Sequence, residues 1–218
     1  MGNWFTAGGV VMWPLLMFSL VTLALVIERS WFWLRLSRQQ RSLVGDILTT
    51  YQQHPEWAIP KLKQYPHLPL ARIFLAALSL GEATPEEFTL ALESAAQAEL
   101  PLLKRFHTLF ETVVGIAPLL GLLGTVLGLM QVLSSIRIGE GGLASSTGVT
   151  LGVGEALTST AAGLVVAIAA LLFANLFQGL YRRQRAFLQE AAGKLEILHR
   201  RHLRQLARAA SVSPRDSW

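Results

Sequence analysis

The chain of 218 residues contains no cysteine. A disulfide framework, a thiolate metal site and a cysteine nucleophile are therefore excluded. The five histidines show no H-E-x-x-H or comparable metal-ligand spacing, so we expect neither a metal nor another cofactor. No nucleophile–base pair and no phosphate-binding loop with its lysine is evident, and we assign no catalytic residue. The sequence is therefore not typical of an enzyme.

Charge is also scarce, at 15% of residues, whereas 52% are hydrophobic and the mean hydropathy is +0.43. Residues 112–136 carry no charge, and residues 141–181 carry only that of Glu155. Each stretch exceeds the roughly 20 apolar residues that cross a bilayer as a helix. This composition indicates a membrane protein.

Another apolar stretch, residues 9–27, begins near the N-terminus. Trp13 and Trp31 stand about 27 Å apart along a helix, which is typical of tryptophans at the two faces of one bilayer. A signal peptide is disfavoured because no positive charge precedes this stretch and the basic cluster of residues 29–41 follows it. We therefore predict three transmembrane helices.

The net charge of +5 and the pI near 10.1 alone would suggest a nucleic-acid partner, but the distribution of the basic residues argues against one. Nine of the 19 Lys and Arg lie in residues 29–105 and nine follow residue 181, whereas Arg137 alone lies between the second and third stretches. This is the positive-inside pattern. It predicts an N-terminus outside and a C-terminus in the cytoplasm.

The fold class that follows is an all-α membrane protein with three transmembrane helices and long cytoplasmic helical extensions. The predicted segments are an outside N-terminus with the first transmembrane helix (1–30), a cytoplasmic helical domain (31–111), the second transmembrane helix (112–136), a short periplasmic loop (137–147), the third transmembrane helix (148–181), and a cytoplasmic basic helix and tail (182–218).

Local signals divide the cytoplasmic part. Residues 84–87 read Thr-Pro-Glu-Glu, a capping box that opens a helix, and this helix is expected to continue, kinked at Pro101, into the second span. Gly81 is expected to end the preceding helix. Prolines should break the stretch before it into short helices and turns, and the tail after residue 210 should be disordered. The prolines concerned are Pro55, Pro60, Pro66 and Pro69.

Glu155 is the main candidate functional residue, because an acidic side chain at mid-bilayer costs roughly 2.5–3.5 kcal/mol and normally faces a cavity or a partner. Its helical spacing with Gly152, Ser159 and Ala162 predicts one small, polar face. Glycines in both spans, Gly124-x-x-x-Gly128 among them, favour close helix contact, and plain packing is their alternative role.

Two threonines complete the candidate site. If the second and third spans form an antiparallel pair whose outer ends are Ile136 and Val149, Thr125 and Thr160 share one layer near mid-membrane. The alternative for each is a hydroxyl bonded to its own helix carbonyl at i−4. Together with Glu155, the pair suggests a hydrated path.

Residues 117–130 read APLLGLLGTVLGLM, and residues 154–164 read GEALTSTAAGL. With these two motifs the spans resemble the MotA/TolQ/ExbB family of proton-channel subunits, and most of all its ExbB/TolQ branch. The resemblance extends over residues 93–178 at motif level.

The resemblance implies a homopentamer of the bacterial inner membrane whose second and third helices line a pore. A dimer of a single-span ExbD/TolR-like partner would occupy the pore, and a TonB-like transducer would receive the work. Thr125, Glu155 and Thr160 match the family's proton-pathway residues, and Ser159 adjoins them. Helix packing is expected at Pro118, Gly121, Gly124, Gly128, Gly152 and Gly163.

Several points stay open on this sequence. An ExbB-like and a TolQ-like role are not separated, and Ala169 stands where the family often has a proline that kinks the helix. Glu155 either collects protons or holds adjacent subunits. A small cation-coupled transporter using Glu155 and a scaffold without a proton path are the alternatives. Anionic phospholipid is expected at Arg182, Arg183 and Arg185.

Overall fold

The computed structural model describes residues 9–81, 83–135 and 144–212, and every regular element in these ranges is an α-helix. This agrees with the predicted all-α class. The helices are α1 (Met12–Gln53), α2 (Pro55–Leu62), α3 (Pro69–Leu78), α4 (Pro85–Leu103), α5 (His107–Ser135) and α6 (Ala144–Val212).

The chain forms two compact units. We call Met1–Ser30 with Phe106–Gln178 the transmembrane unit, and Trp31–Arg105 with Gly179–Trp218 the polar unit. Three helical stretches of the described residues are long and apolar enough to cross a membrane, as predicted; they lie in α1, α5 and α6.

The core of the transmembrane unit consists of small and branched apolar side chains from all three spans. Much of the remaining apolar surface is exposed, as in Trp13 at 72% and Val126 at 50%, which suits contact with lipid or with further protein chains. The buried core residues are Val11, Leu15, Val113, Ala117, Ala167 and Ala170.

Helix α4 begins as the sequence predicts. The Thr84 hydroxyl accepts the Glu87 backbone N–H (3.2 Å), and the Glu87 carboxylate accepts the Thr84 backbone N–H (2.8 Å). This reciprocal capping box satisfies donors that the helix leaves unpaired, and the bond from the Thr84 backbone lowers the pKa of Glu87.

The predicted continuation of this helix into the second span is wrong. Helix α4 ends at Leu103, two residues after Pro101, and α5 starts only at His107. Between them Phe106 has φ +68°, a left-handed conformation that a helix cannot contain. The Arg29 guanidinium lies 5.0 Å from the centre of the Phe106 ring, and this cation–π contact favours the break.

The polar unit has its own core, formed by apolar side chains of its helices with three polar pairs among them. Glu99, only 8% exposed, accepts two hydrogen bonds from the Arg72 guanidinium, one of them from Nε at 2.6 Å. The Tyr51 hydroxyl meets His199 Nδ1 at 2.7 Å, and Gln184 donates to Gln40. The buried apolar residues include Ile47, Leu62, Leu70, Ile73, Phe74, Phe88, Leu188 and Leu195.

The proline and glycine signals in this unit are confirmed in part. Pro55 and Pro69 each open a helix, and Gly81 has φ +69° shortly after α3 ends. Pro60, however, lies inside α2 without ending it. The predicted periplasmic loop falls largely on residues 136–143, and most of the predicted tail on residues 213–218; these stretches lie outside the described residues.

Candidate functional site

The candidate residues of the second and third spans lie along the contact between α5 and α6. Both helices present their smallest residues there, so the two backbones approach closely. A Cβ added to Gly121 would lie 3.0 Å from the Thr160 Cα, and one added to Gly163 would lie 2.6 Å from the Ala117 carbonyl oxygen. An added Cβ would clash with backbone atoms of the other helix. Any residue larger than glycine at these two positions would therefore require the helices to shift.

The same holds further along the contact. A Cβ on Gly128 would lie 2.7 Å from the Gly152 carbonyl oxygen, and one on Gly124 would overlap the Ser159 side chain. Five of the six predicted packing positions therefore lie in the α5–α6 contact. Pro118, the sixth, is half-buried within α5, which continues through it.

The buried face of α6 differs from the predicted one by about one position. Gly152 and Ser159 of the predicted small, polar face are buried, but Ala156 is the buried residue between them, whereas Glu155 and Ala162 are only half-buried. Because an α-helix turns about 100° per residue, the Glu155 side chain points away from the centre of the α5 contact and lies at its edge. The buried positions of α6 in this unit include Gly152, Ala156, Ser159, Gly163, Ala167, Ala170, Ala174 and Phe177.

The Glu155 carboxylate lies against the turn that begins the first span. A Cβ built on Gly9 would lie 2.8 Å from Glu155 Cδ and would overlap its Oε1. Gly9 has φ +66°, and its carbonyl accepts the Met12 N–H at 3.2 Å. All three spans therefore contribute to the surroundings of the candidate residues.

The candidate hydroxyls have different partners. Thr160 donates across the contact to the Gly121 carbonyl at 3.0 Å. Thr125 donates within its own helix to Leu122 at 2.6 Å, which is an i−3 bond rather than the i−4 bond considered above. Ser159 is fully buried and donates to Ala156 at 2.9 Å.

Thr125 and Thr160 therefore do not lie directly opposite each other, in contrast to the prediction. Thr160 lies beside Gly121, and Gly121 is four residues, about one helical turn, from Thr125. The antiparallel pairing of the two spans is as predicted, but its register differs by about that turn. The actual register is set by glycine contacts, whereas the prediction assumed equal depth of the outer helix ends.

An apolar groove of about 520 Å³ runs beside the site between α1 and α6. Its polar groups are the hydroxyls of Ser19 and Thr158, and the Thr158 hydroxyl is bonded to Gly154 at 2.8 Å. The other residues lining it are Met12, Leu15, Leu16, Leu157, Ala161, Ala162, Val165 and Val166.

In the polar unit, the three arginines predicted to bind lipid do not line one common groove. Arg183 lines a groove of about 620 Å³ with Arg38 and Arg41 of α1, whereas Arg185 lines another of about 840 Å³ between α4 and α6. Arg182 is exposed and lines neither. The first groove also contains Trp33, Phe187, Glu190 and the Gln40–Gln184 pair.

Within the described ranges, no three His, Asp or Glu side chains gather into a group that could hold a metal ion. Among the described residues, the site is thus a close helix contact with one interhelical hydroxyl bond, from Thr160, and one carboxylate, Glu155, on the third candidate span. Residues 66–190, which include α5 and most of this contact, match the MotA/TolQ/ExbB proton channel family. The chain belongs to the MotA/TolQ/ExbB family.

Within this family the similar proteins carry ExbB names. A Synechocystis protein named ExbB-like 3 is 58% identical over 195 residues, covering 89% of this chain and 93% of its own length. Another, ExbB-like 1, is 41% identical over 90% of this chain and 78% of its own length. The biopolymer transport protein ExbB of Xanthomonas campestris is 35% identical over 72% and 71%. The chain is thus an ExbB-like membrane protein of this family.

Sequence reasoning missed two features of the MotA/TolQ/ExbB chain. Gly9 is the first residue of the first apolar stretch, but nothing in its spacing connects it to a residue nearly 150 positions later. Arg38 and Arg41 were counted in a basic cluster, and only the fold brings them to Arg183.

Proposed function

We propose that the protein is an ExbB-like subunit of a proton-driven motor in the bacterial inner membrane. With an ExbD-type single-span partner, it couples the proton gradient to TonB-dependent transport across the outer membrane. Family membership together with the Thr160–Gly121 hydrogen bond, on the same helix as Glu155, is the observation that carries this proposal.

The proposed site works by placing polar groups where a partner carboxylate can change its protonation. Thr160 and Thr125 are half-exposed, so each hydroxyl oxygen has room to accept a further hydrogen bond from water or from a protonated carboxyl group. Glu155 is the only charged side chain in residues 141–181. One carboxylate does not form a relay, and the proposal therefore requires a carboxylate supplied by the partner.

The proposed assembly is a homopentamer whose α5 and α6 surround a pore that holds two partner chains. The exposed apolar side chains of these helices support it, because a surface such as Leu122 at 58% and Leu157 at 65% exposure is suited to lipid or to another subunit. The N-terminus is placed in the periplasm and the C-terminus in the cytoplasm, since the basic residues flank the spans on the latter side.

Anionic phospholipid is proposed at the cytoplasmic membrane surface. The groove with Arg38, Arg41 and Arg183 supports a headgroup there, because three cations outnumber the one acidic side chain, Glu190. The half-buried Phe187 supplies apolar surface for the adjoining acyl chain.

The central experiment reconstitutes the protein with a co-expressed single-span, ExbD-type partner and follows proton uptake into liposomes under an imposed membrane potential. Thr160→Val should lower uptake by about tenfold or more, because it removes the hydroxyl but keeps the shape of the side chain. Thr160→Ser, which retains the hydroxyl, should keep most of the uptake.

Assembly must be matched between the two variants, by the ratio of partner to protein after purification. Wild-type uptake in Thr160→Val at a matched ratio would contradict the role of Thr160. If the wild-type protein with its partner conducts no protons, the proposed motor function itself is wrong.

A further inference from the structure

We propose that Gly9 is a positioning residue for Glu155: its missing side chain leaves the space in which the Glu155 carboxylate rests against the first turn of α1. The functional meaning of this contact rests on the role proposed above for Glu155. The contact itself does not, and it can be tested separately.

The geometry of the contact is specific to glycine in two ways. A Cβ at this position would lie 2.8 Å from Glu155 Cδ and 3.3 Å from Cγ, and it would overlap Oε1. In addition, φ of +66° is a conformation that residues with a Cβ rarely adopt. The carboxylate and the turn therefore fit each other only when residue 9 has no side chain.

The turn is held in place on its other side. Val11 is 5% exposed and belongs to the core of the transmembrane unit, and its Cβ lies 3.7 Å from the position that a Cβ on Gly124 would take. The Gly9 and Val10 carbonyls accept the N–H groups of Met12 and Trp13. The glutamate therefore meets a fixed surface, and the added methyl group would displace the carboxylate rather than the turn.

The amide end of a helix also carries partial positive charge, so the start of α1 suits a carboxylate electrostatically. The first span thus takes part in the site through the position of one glycine. A small side chain at residue 9 should displace the Glu155 carboxylate from its position against Gly9 without contacting α5.

The test measures the reactivity of Glu155 in the full-length protein in lipid nanodiscs, using dicyclohexylcarbodiimide and peptide mass spectrometry. In Gly9→Ala the displaced carboxyl group should react about threefold faster or more than in the wild type. Gly81→Ala is the matched control, because Gly81 has nearly the same φ of +69° but no atom of the described residues within 4 Å of an added Cβ. An unchanged or slower rate in Gly9→Ala, or an equal increase in Gly81→Ala, would overturn the proposal.

A second variant covers the case in which Gly9→Ala accumulates poorly. In Gly9→Ala/Glu155→Asp the side chain is one methylene shorter and clears the added methyl group, so yield and melting temperature should return towards those of Glu155→Asp alone. A double variant no better than Gly9→Ala would refute the contact. Neither readout requires proton transport, so failure of the proposed function would leave both results interpretable.

Discussion

At the residue scale, the polar unit depends on a few polar side chains whose partners are far away in sequence. Arg72 and Glu99 form a two-pronged pair, and the hydrogen bond from Arg72 to Glu99 is the main reason that the pKa of Arg72 is raised. The pair is unequally buried, because the Arg72 side chain is 40% exposed and that of Glu99 only 11%. The carboxylate is therefore the partner that depends more on the interaction.

Removing that carboxylate charge should destabilise the unit. We expect Glu99→Gln to cost about 2 kcal/mol, less than a fully buried pair because water still reaches Arg72. This corresponds to a melting temperature lower by about 5 °C in detergent. Glu93→Gln, an exposed change on the same helix, should leave the melting temperature unaltered, and an equal effect of both variants would contradict the assigned role.

His199 predicts a pH dependence. Its ring stacks on Phe88 at 3.8 Å between centres, its Nδ1 meets Tyr51, and its buried Nε2 has no hydrogen-bond partner among the described residues. Burial, followed by the charge of His202, lowers the pKa of His199, and burial raises that of Tyr51 to about 12. The folded state thus favours neutral histidine.

Because the folded pKa lies below the unfolded value of 6.5, the full contribution of His199 is present above pH 6.5 and is lost as pH falls towards the folded pKa. We expect the melting temperature of wild type to fall between pH 7 and pH 5.5, and to fall less steeply in His199→Gln. His54→Gln, which alters an exposed histidine, serves as the control. Equal slopes in wild type and His199→Gln would show that other groups set the dependence.

At the scale of the element, α5 and α6 are joined through backbone as much as through side chains. The Thr160 hydroxyl reaches the Gly121 carbonyl, and the Gly163 Cα region lies against Ala117 and Gly121. The contact is therefore sensitive to substitutions that enlarge a side chain. Substitutions that shorten a side chain should matter less, because the residues in the contact are already small.

Gly163→Ala should accordingly destabilise the transmembrane unit by about 1–3 kcal/mol, although alanine is the better helix former. Gly193→Ala, on the same helix and with no neighbour in the described ranges within 4 Å of the added Cβ, should be neutral or stabilising by up to about 1 kcal/mol. The melting temperatures of both variants and of the wild type are compared by thermal unfolding in the same detergent. A stable Gly163→Ala protein would mean that the helices are less closely packed than described.

The same elements show what sequence alone could predict. The capping box at Thr84 and Glu87 was predictable because its partners are three residues apart, and the close glycine contact because small residues recur at helical spacing. The break at Phe106 was not, since a left-handed non-glycine residue has no sequence signal. The position of Glu155 against Gly9 was missed for another reason, namely that the register of three helices is decided by their mutual packing.

At the scale of the whole molecule, much of the surface of the three spans is apolar and exposed in a single chain. We expect native mass spectrometry of the purified protein, co-expressed with a single-span partner, to give a pentamer that holds two partner copies. The physical reason is that a site with one carboxylate per chain requires other chains to complete a proton path.

The same measurement made without the partner is the control, and it should give the pentamer alone. A monomer or dimer that ignores the partner would contradict the motor assignment and favour a transporter in which Glu155 binds a cation. Oligomeric state could not be predicted from spacing or composition, because no sequence pattern in the spans counts subunits.

The closeness of α5 and α6 also bears on how this gene can change over generations. Positions such as Gly121 and Gly163 touch the backbone of the neighbouring helix, so nearly every amino-acid change there alters the distance between two spans. Val126, half-exposed on α5, has only to remain apolar, and many codons satisfy that requirement. Tolerated mutations along α5 should therefore recur with the period of the helix. The positions that vary among related sequences would then identify the side of the span that faces away from α6.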